Sequence, residues 1–268
     1  MSNGSKIQSF YQNDYAENIR LERRSLEFIR SKEIISRYLT EKPMEIADIG
    51  GAAGVYSYWL TSLGHKAHLL DFTPLHIEQA KEYGEKNNVE LASYHCGDAC
   101  NLPYSDNSFD MVLLMGPLYH LQERNDRLRC ISEAKRVLKP GGVLMCALIS
   151  RYAAILDGFK EPLLSSGDEN KFEIINKVLE TGVFSPGDMA LFTSAYFHKP
   201  SDIQKELKES GFEQVELIAI EGFARAVNTE EILKNENHRE LLLEYIRKTE
   251  SRPEIMGMSD HFFAITRK

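Results

Sequence analysis

The sequence lacks the features that mark membrane-spanning and secreted proteins. Its longest nearly apolar run, residues 111–118, is far shorter than the roughly 20 residues that a membrane-spanning helix needs. Residues 1–18 are polar and contain no apolar stretch of the kind found in a signal peptide. We therefore expect a soluble protein of the cytoplasm, with no membrane span.

Cysteine and positive charge are both scarce. The four cysteines, Cys96, Cys100, Cys130 and Cys146, include no C-x-x-C pair, so the sequence indicates neither a disulfide framework nor a metal site. Aspartate and glutamate (40) outnumber lysine and arginine (32), which gives a formal net charge of −8. Because affinity for nucleic acid comes mainly from cationic side chains that displace counterions, nucleic acid is a poor candidate partner.

Short apolar runs alternate with helical patterns along most of the chain. The strand candidates are seven: 44–49, 68–71, 91–95, 111–115, 143–150, 215–220 and 261–266. The helical patterns lie at 16–39, 55–63, 74–87, 125–138, 201–210 and 229–249. This alternation is typical of a parallel sheet covered by helices on both faces, so we predict a doubly wound α/β fold.

A break in the alternation divides the chain into four parts. Residues 1–43 are expected to form an N-terminal helical lid, and residues 44–150 the cofactor-binding half of one domain. Residues 151–200 would be an insertion that covers the substrate site, and residues 201–268 the C-terminal half of the same domain. Tyr11 and Tyr15 precede the first long helix, where they would either help the lid to exclude water or pin that helix to the body of the protein.

A glycine-rich turn follows the first predicted strand. Residues 48–54 read D-I-G-G-A-A-G, with glycine at positions 50, 51 and 54. Amide groups at the start of a helix favour an anionic ligand group, and glycine lets that group approach the main chain. The dinucleotide pattern G-x-G-x-x-G would need glycine at Ala52 and Val55. The observed D-x-G-x-x-x-G suits a ligand carboxylate and amino group better than a pyrophosphate.

Acidic residues close the next two predicted strands. Asp71 follows about 20 residues after the glycines, where a carboxylate can accept hydrogen bonds from both hydroxyls of a ribose. Phe72 comes next and can cover one face of an adenine ring. Asp98, with Ala99 beside it, follows the third strand and could accept a hydrogen bond from the adenine amino group. Three strand ends thus supply parts of an adenosyl site.

The motifs together resemble the class I S-adenosylmethionine-dependent methyltransferases, in particular the small-molecule enzymes similar to the ubiquinone and menaquinone methyltransferases. The resemblance rests on residues 48–54, Asp71, G-D-A at 97–99, S-F-D-M-V at 108–112 and L-K-P-G-G at 138–142. It implies a Rossmann-like, mostly parallel seven-stranded sheet whose last strand is antiparallel. It also implies S-adenosyl-L-methionine as cofactor and S-adenosyl-L-homocysteine as product.

In this resemblance the cofactor residues follow from the motif positions. The glycine loop, which comprises Asp48, Gly50, Gly51, Ala52 and Gly54, would hold the methionine part. Asp71 would hold the ribose, and Asp98 with Ala99 the adenine. Ala52 stands where the family usually has glycine, and a negative φ there would make the change tolerable.

Residues 115–120, after the fourth predicted strand, stand where this family brings the methyl donor and the acceptor together. We therefore assign Met115 and Gly116 to the cofactor site, together with Tyr15. Tyr119 and His120 are expected to face the cleft, and His120 is the candidate general base because imidazole titrates near neutral pH. The alternative is that His120 only packs or contacts the cofactor, since a base is needed only if the acceptor must lose a proton.

The segment 151–200 is rich in aromatic residues and carries no run of basic residues, which favours a small organic acceptor. The candidate substrate contacts are Tyr11, Arg151, Tyr152, Tyr196 and His198, and His261 could also approach the pocket. The predicted activity is methyl transfer to that acceptor. Three alternatives stay open at this point: a nicotinamide-dependent oxidoreductase, a non-catalytic S-adenosylmethionine-binding protein and an RNA methyltransferase.

Overall fold

The structure is a computed structural model that describes residues 25–159, 170–185 and 193–268. Within these residues the helices are α1 (Ser25–Ser36), α2 (Val55–Ser62), α3 (Pro74–Asn87), α4 (Pro117–His120), α5 (Arg124–Val137), α6 (Ala153–Gly158), α7 (Asn170–Thr181), α8 (Pro200–Glu209), α9 (Thr229–Leu233), α10 (Glu236–Thr249) and α11 (Pro253–Met256). The strands are β1 (Glu45–Ile49), β2 (Lys66–Asp71), β3 (Ser93–Cys96), β4 (Phe109–Leu114), β5 (Leu138–Ile149), β6 (Val183–Phe184), β7 (Ala195–Tyr196), β8 (Val215–Ala219) and β9 (His261–Arg267). A 3-10 turn spans Gly222–Ala226.

Seven of the strands form one sheet in the order β3-β2-β1-β4-β5-β9-β8. The pairs from β3 to β5 are parallel, whereas β9 is antiparallel to both β5 and β8. The predicted doubly wound sheet with an antiparallel last strand is therefore confirmed. The strand order reverses between β1 and β4, and the carboxyl ends at such a point border the crevice in which these sheets bind ligands.

Helices cover both faces of the sheet. Ile49 and Leu114 belong to a buried core that includes residues of α5 and α8. Ile46 and Leu113 point to the opposite face and pack with residues of α1, α2 and α3. Strands that are buried on both faces read as continuous apolar runs, which explains why the sequence identifies them well.

Most predicted helix boundaries agree with the structure. The bounds of α3 are those predicted, and α2, α5 and α8 agree to within one residue. The first helix ends at Ser36, three residues early, and its predicted part at 16–24 lies outside the described residues. The single helix predicted at 229–249 is wrong, because the Asn235 side chain accepts a hydrogen bond from the His238 amide and starts a new helix, α10.

Strand β5 begins earlier than predicted. The turn predicted at residues 139–142 is instead an irregularity inside the strand, since Phe109 pairs with Leu138 whereas Met111 pairs with Val143. Gly141 has a φ of +77°, which glycine adopts without strain. The L-K-P-G-G motif thus bends the start of a long strand.

The segment between β5 and α8 contributes α6, α7 and the β6–β7 hairpin. Phe184 of the hairpin stacks on Phe197, with ring centroids 5.5 Å apart. Ser150, directly after β5, forms a parallel bridge with His198. The hairpin is therefore attached at the carboxyl end of the sheet. Among the described residues, no helix has both the length and the apolar character that crossing a bilayer requires.

Candidate active site

The glycine loop joins β1 to α2 at the crevice. Its three positions require glycine for different structural reasons. Gly50 and Gly54 have φ values of +71° and +81°, in the left-handed region that favours glycine. Gly51 has no positive φ, but a Cβ there would lie 2.5 Å from the Oδ2 atom of Asp48. The loop therefore needs glycine at all three positions.

Ala52 has a φ of +49°, so the condition under which alanine would be easily tolerated there, a negative φ, is not met. The backbone is held in this conformation by a hydrogen bond from the Ala52 amide to Asp71 Oδ2, 2.9 Å away. A left-handed conformation costs a residue with a Cβ roughly 1–2 kcal/mol. The hydrogen bond to the end of β2 offsets part of that cost and ties the loop to the neighbouring strand.

Asp71 is buried and has three hydrogen-bond partners among the described residues. Besides the Ala52 amide, its carboxylate contacts the Thr73 amide at 2.8 Å and His76 Nδ1 at 3.0 Å. A carboxylate has about four acceptor positions, so about one is left for a ligand hydroxyl. Sequence reasoning missed both neighbours, although an Asp side chain commonly accepts from the amide two residues later.

Asp48 lies beneath the loop and is fully buried. Its Oδ2 accepts a hydrogen bond from Ser57 Oγ at 2.7 Å, and its Oδ1 has no hydrogen-bond partner within the described part of the chain. Burial raises the pKa of the Asp48 carboxyl to about 6, although the hydrogen bond from Ser57 lowers it. A positive charge bound at the loop would therefore favour the ionised form of Asp48.

The ends of β2 and β3 lie side by side. The Gly97 amide donates a hydrogen bond to the Asp71 carbonyl oxygen at 3.0 Å. Asp98 is exposed, and its Oδ1 accepts from the Cys100 amide at 2.8 Å. Phe72 is 44% exposed. An open aromatic ring and an open carboxylate thus flank Asp71, while Ala99 packs against the core.

The end of β4 packs directly against the glycine loop. The Met115 amide donates to the Ile49 carbonyl oxygen at 3.0 Å, and the Tyr119 hydroxyl donates to the Met115 carbonyl oxygen at 3.1 Å. A Cβ on Gly50 would lie 2.6 Å from Pro117 Cδ. The predicted cofactor loop and the predicted catalytic segment are therefore neighbours.

Tyr119 and His120 are half-buried at this junction, and their ring centroids are 4.7 Å apart. Gly116 is buried beside them, and a Cβ there would lie 3.5 Å from the Tyr119 hydroxyl oxygen. The structure thus brings Met115, Gly116, Tyr119 and His120 together beside the loop, as the sequence predicts. Their catalytic and binding roles stay predictions.

The predicted substrate residues after β5 occupy different environments. Tyr152 is 40% exposed, whereas Arg151 is buried and donates hydrogen bonds to the Phe197 carbonyl oxygen at 2.7 Å and to Asp202 at 2.9 Å. His198 is fully buried, 3.6 Å from a carboxylate oxygen of Glu206, and burial lowers the pKa of its imidazole. Arg151 and His198 therefore take part in the packing of the insertion, and their predicted contact with substrate stays a prediction.

A buried ion pair that sequence reasoning missed holds the segment after His120. Arg127 and Glu206 are both buried, and the shortest distance between their charged atoms is 2.8 Å. Arg127 also donates hydrogen bonds to the carbonyl oxygens of Leu121 at 2.9 Å and Gln122 at 2.7 Å. Its guanidinium lies 3.6 Å from the centroid of the half-buried Tyr196 ring. The signal in the sequence is an arginine on the apolar face of α5.

Burial raises the pKa of Glu206, but the nearby His198 and the hydrogen bonds from Arg127 outweigh burial and keep the pKa below its usual value. Glu206 therefore stays ionised opposite Arg127. Tyr11 and Tyr15 lie outside the described residues. Their predicted role in a lid, and the four-part division of the chain, stay predictions.

Part of the chain is similar in sequence to known proteins. Residues 47–146 match the family described as methyltransferase domain. Over 78 residues the chain is 42% identical to a demethylmenaquinone methyltransferase of Staphylococcus haemolyticus. This alignment covers 29% of this chain and 30% of that protein. Over 118 residues the chain is 31% identical to a ubiquinone/menaquinone biosynthesis C-methyltransferase of Ruegeria sp.. This alignment covers 42% of this chain and 46% of that protein.

A third relative has a different kind of name. Over 102 residues the chain is 35% identical to a probable tRNA methyltransferase 9B of Bos taurus, an alignment that covers 37% of this chain and 20% of that protein. In each of these three alignments the chain spans less than half the length of the relative.

Solved structures share the fold at low sequence identity. A methyltransferase from Methanosarcina mazei has a TM-score of 0.58 and 20% identity over 88% of this chain and 96% of that chain. A second structure is a phosphoethanolamine N-methyltransferase of Haemonchus contortus that was crystallised with S-adenosylhomocysteine. Its TM-score is 0.60 and its identity 16%, over 98% of this chain and 60% of that chain. The matched residues 47–146 include the glycine loop, both strand-end aspartates and the segment 115–120. Residues 47–146 are therefore similar to a methyltransferase domain, and the described chain shares its fold with S-adenosylmethionine-dependent methyltransferases.

Proposed function

We propose that this protein transfers a methyl group from S-adenosyl-L-methionine to a small organic acceptor. The observation that carries the proposal is the direct connection of three predicted parts of the site. The loop amide of Ala52 bonds to Asp71, and Gly50 packs on Pro117 at the start of α4. The three parts lie at the carboxyl ends of β1, β2 and β4, and the strand order reverses between β1 and β4.

The residues at the crevice fit this cofactor. The buried oxygen of Asp48 that has no partner in the described residues supplies negative charge beneath the loop, which suits a ligand with a positively charged sulfur and amino group. The remaining acceptor position of Asp71 suits a ribose hydroxyl. The exposed Phe72 and Asp98 suit the face and the amino group of an adenine.

When bound, the cofactor supplies an activated methyl group on a sulfur that loses its positive charge in the transfer. The protein's contribution is alignment and exclusion of water, because an in-line displacement depends mainly on both. The contact between Gly50 and Pro117 sets the distance between the cofactor loop and α4. His120 would accept a proton at its imidazole where the acceptor must lose one, and Tyr119 would orient it.

The acceptor is proposed to be largely apolar. Phe159 and Phe172, at the end of α6 and in α7, are 59% and 39% exposed, and their ring centroids are 5.8 Å apart. Tyr152, shortly after the carboxyl end of β5, is also exposed, at 40%. Two relatives are named for quinone methylation, which supports an aromatic acceptor. Residues 151–200 would cover it, and residues 1–43 would close the site as a lid.

A tRNA acceptor is the second candidate, because one relative is named as a probable tRNA methyltransferase. The net charge of −8 opposes it. The nicotinamide-dependent oxidoreductase is not favoured, since the matched family is a methyltransferase domain and the loop lacks G-x-G-x-x-G. We place the activity in the cytoplasm, where the four free thiols would stay reduced.

Calorimetric titration with S-adenosyl-L-homocysteine, and with NAD in parallel, tests the proposal. We expect micromolar binding of the first ligand only. Asp71→Ala should weaken it at least tenfold, or about 1.4 kcal/mol, whereas the exposed control Glu82→Ala should not. Circular dichroism checks that each variant is folded. Binding of NAD alone would overturn the proposal.

Turnover is tested next with labelled methyl donor. A quinone-precursor phenol and a tRNA transcript are offered in separate reactions. Label in the phenol product supports the small-molecule acceptor, and label in the transcript alone would replace it with the tRNA candidate. Binding of S-adenosyl-L-homocysteine without turnover on any acceptor would favour a non-catalytic binding protein.

A further inference from the structure

Three potential metal ligands meet near the end of β5. His261 begins β9 and pairs with Ile149, the last residue of β5. Glu221 precedes the 3-10 turn, and Glu27 lies in the first turn of α1. One ligand atom from each of the three side chains lies within 4.8 Å of the others. They come from three separate regions of the chain.

The distances suit a shared ion. His261 Nδ1 lies 2.7 Å from Glu221 Oε1 and 3.9 Å from Glu27 Oε2. Nitrogen and oxygen ligands at about 2.0–2.2 Å from one ion lie roughly 3–4 Å from each other. The three atoms therefore need only small shifts to surround one cation.

The Glu221 carboxylate is held in place from its other side. Its Oε2 accepts hydrogen bonds from the Ser259 hydroxyl at 2.8 Å and from the His261 amide at 3.0 Å. Glu221 is 8% exposed. These bonds leave Oε1 directed at His261. This oxygen is therefore in position before any ion binds, in the way that supporting hydrogen bonds orient the ligands of other metal sites.

The neighbouring Asp260 provides an independent indication of missing positive charge. It is 8% exposed, its Oδ2 pairs with Arg225, and its Oδ1 has no hydrogen-bond partner among the described residues. A buried carboxylate oxygen without a partner is costly unless a positive charge lies nearby. Arg225 is also shared with Asp157.

We propose that Glu27, Glu221 and His261 form a binding site for a divalent first-row metal ion, of the class that includes Mn²⁺ and Zn²⁺. Two carboxylate oxygens and one imidazole nitrogen are ligands that these ions accept. The ion replaces the proton between His261 and Glu221, and that proton passes to solvent. Three protein ligands leave coordination positions open for water or for an oxygen of a bound molecule.

Calorimetry of the full chain, prepared without a histidine tag and freed of metal with a chelator, tests the site. Titration with ZnCl₂ and with MnCl₂ should give one equivalent bound for at least one of them, with a raised Tm. His261→Ala and Glu27→Gln should each weaken binding at least tenfold. Glu27→Gln keeps the Glu221–His261 hydrogen bond, so it serves if His261→Ala fails to fold.

His68→Ala is the matched control. His68 Nε2 also pairs with a carboxylate, Glu45, at 2.8 Å, but belongs to no three-ligand group in the part of the chain that the structure describes. It should bind metal like the wild type. No stoichiometric binding by the wild type, or equal loss in His68→Ala and His261→Ala, would overturn the proposal. Metal binding is read without methyl transfer, so failure of the proposed function would be seen separately.

Discussion

The carboxylate of Asp71 accepts a hydrogen bond from the backbone amide of Ala52, 2.9 Å away. The two residues belong to the ends of neighbouring strand-to-helix units, and each was predicted to contact a different part of the cofactor. Because the bond joins them, the conformation of the glycine loop depends on Asp71. A substitution of either residue should therefore alter both the conformation of the glycine loop and the position of the Asp71 carboxylate.

Ala52→Gly is expected to stabilise the protein by about 1 kcal/mol. Glycine relieves the strain of the left-handed φ of +49°, and this gain exceeds the entropy that glycine loses on folding. The change in stability is measured as the difference between the free energies of unfolding of the variant and the wild type in urea. Ala53→Gly, at a buried neighbour without positive φ, should instead destabilise. A lower urea midpoint for Ala52→Gly would contradict the account.

Gly51→Ala is expected to weaken binding of S-adenosyl-L-homocysteine more than tenfold. The new Cβ would lie 2.5 Å from Asp48 Oδ2 and 2.6 Å from Leu69 Cδ1, so the loop must move. Gly64→Ala is the control, because Gly64 has a φ of +88° but open space around it. It should cost roughly 1–2 kcal/mol of stability and leave affinity unchanged. Equal affinities of the two variants would argue against a role for the loop.

Asp48 should make the protein less stable as pH rises from about 4 to about 6. The folded-state pKa of about 6 lies above the unfolded value of about 3.9, so the folded state holds the proton more tightly in this window. Ionisation then costs up to about 3 kcal/mol. Asp48→Asn should remove this part of the pH dependence in urea unfolding, whereas the exposed Asp106→Asn should not. If the curves of unfolding free energy against pH are parallel for the wild type and Asp48→Asn, this account of Asp48 is refuted.

His120→Ala should lower turnover about 10²–10⁴-fold with an acceptor that must lose a proton, if the imidazole is the general base. The affinity for S-adenosyl-L-homocysteine should stay the same. An acceptor whose nucleophile carries no proton is the control and should react normally. Full turnover across the pH range would exclude the base role. A loss of affinity instead would mean that His120 contacts the cofactor or supports its site.

The sequence by itself determined the seven strands of the main sheet and most of the helices that cover it. The seven strands, α3 and the glycine loop follow from patterns that are complete within a few residues: apolar runs, helical periodicity and glycine spacing. Asp71 was found in the same way, because it stands at a strand end at a fixed distance from the loop. The break between α9 and α10 was missed because a helical pattern outweighed the capping signal of Asn235.

Only the tertiary structure decided which distant side chains meet. Arg127 and Glu206 are 79 residues apart in the chain, and Glu221 and His261 are 40 apart. Local periodicity carries no information about such pairs, since the contact depends on how helices pack on the finished sheet. The same holds for Ala52, whose positive φ is imposed by a hydrogen bond to another strand and not by its own preference.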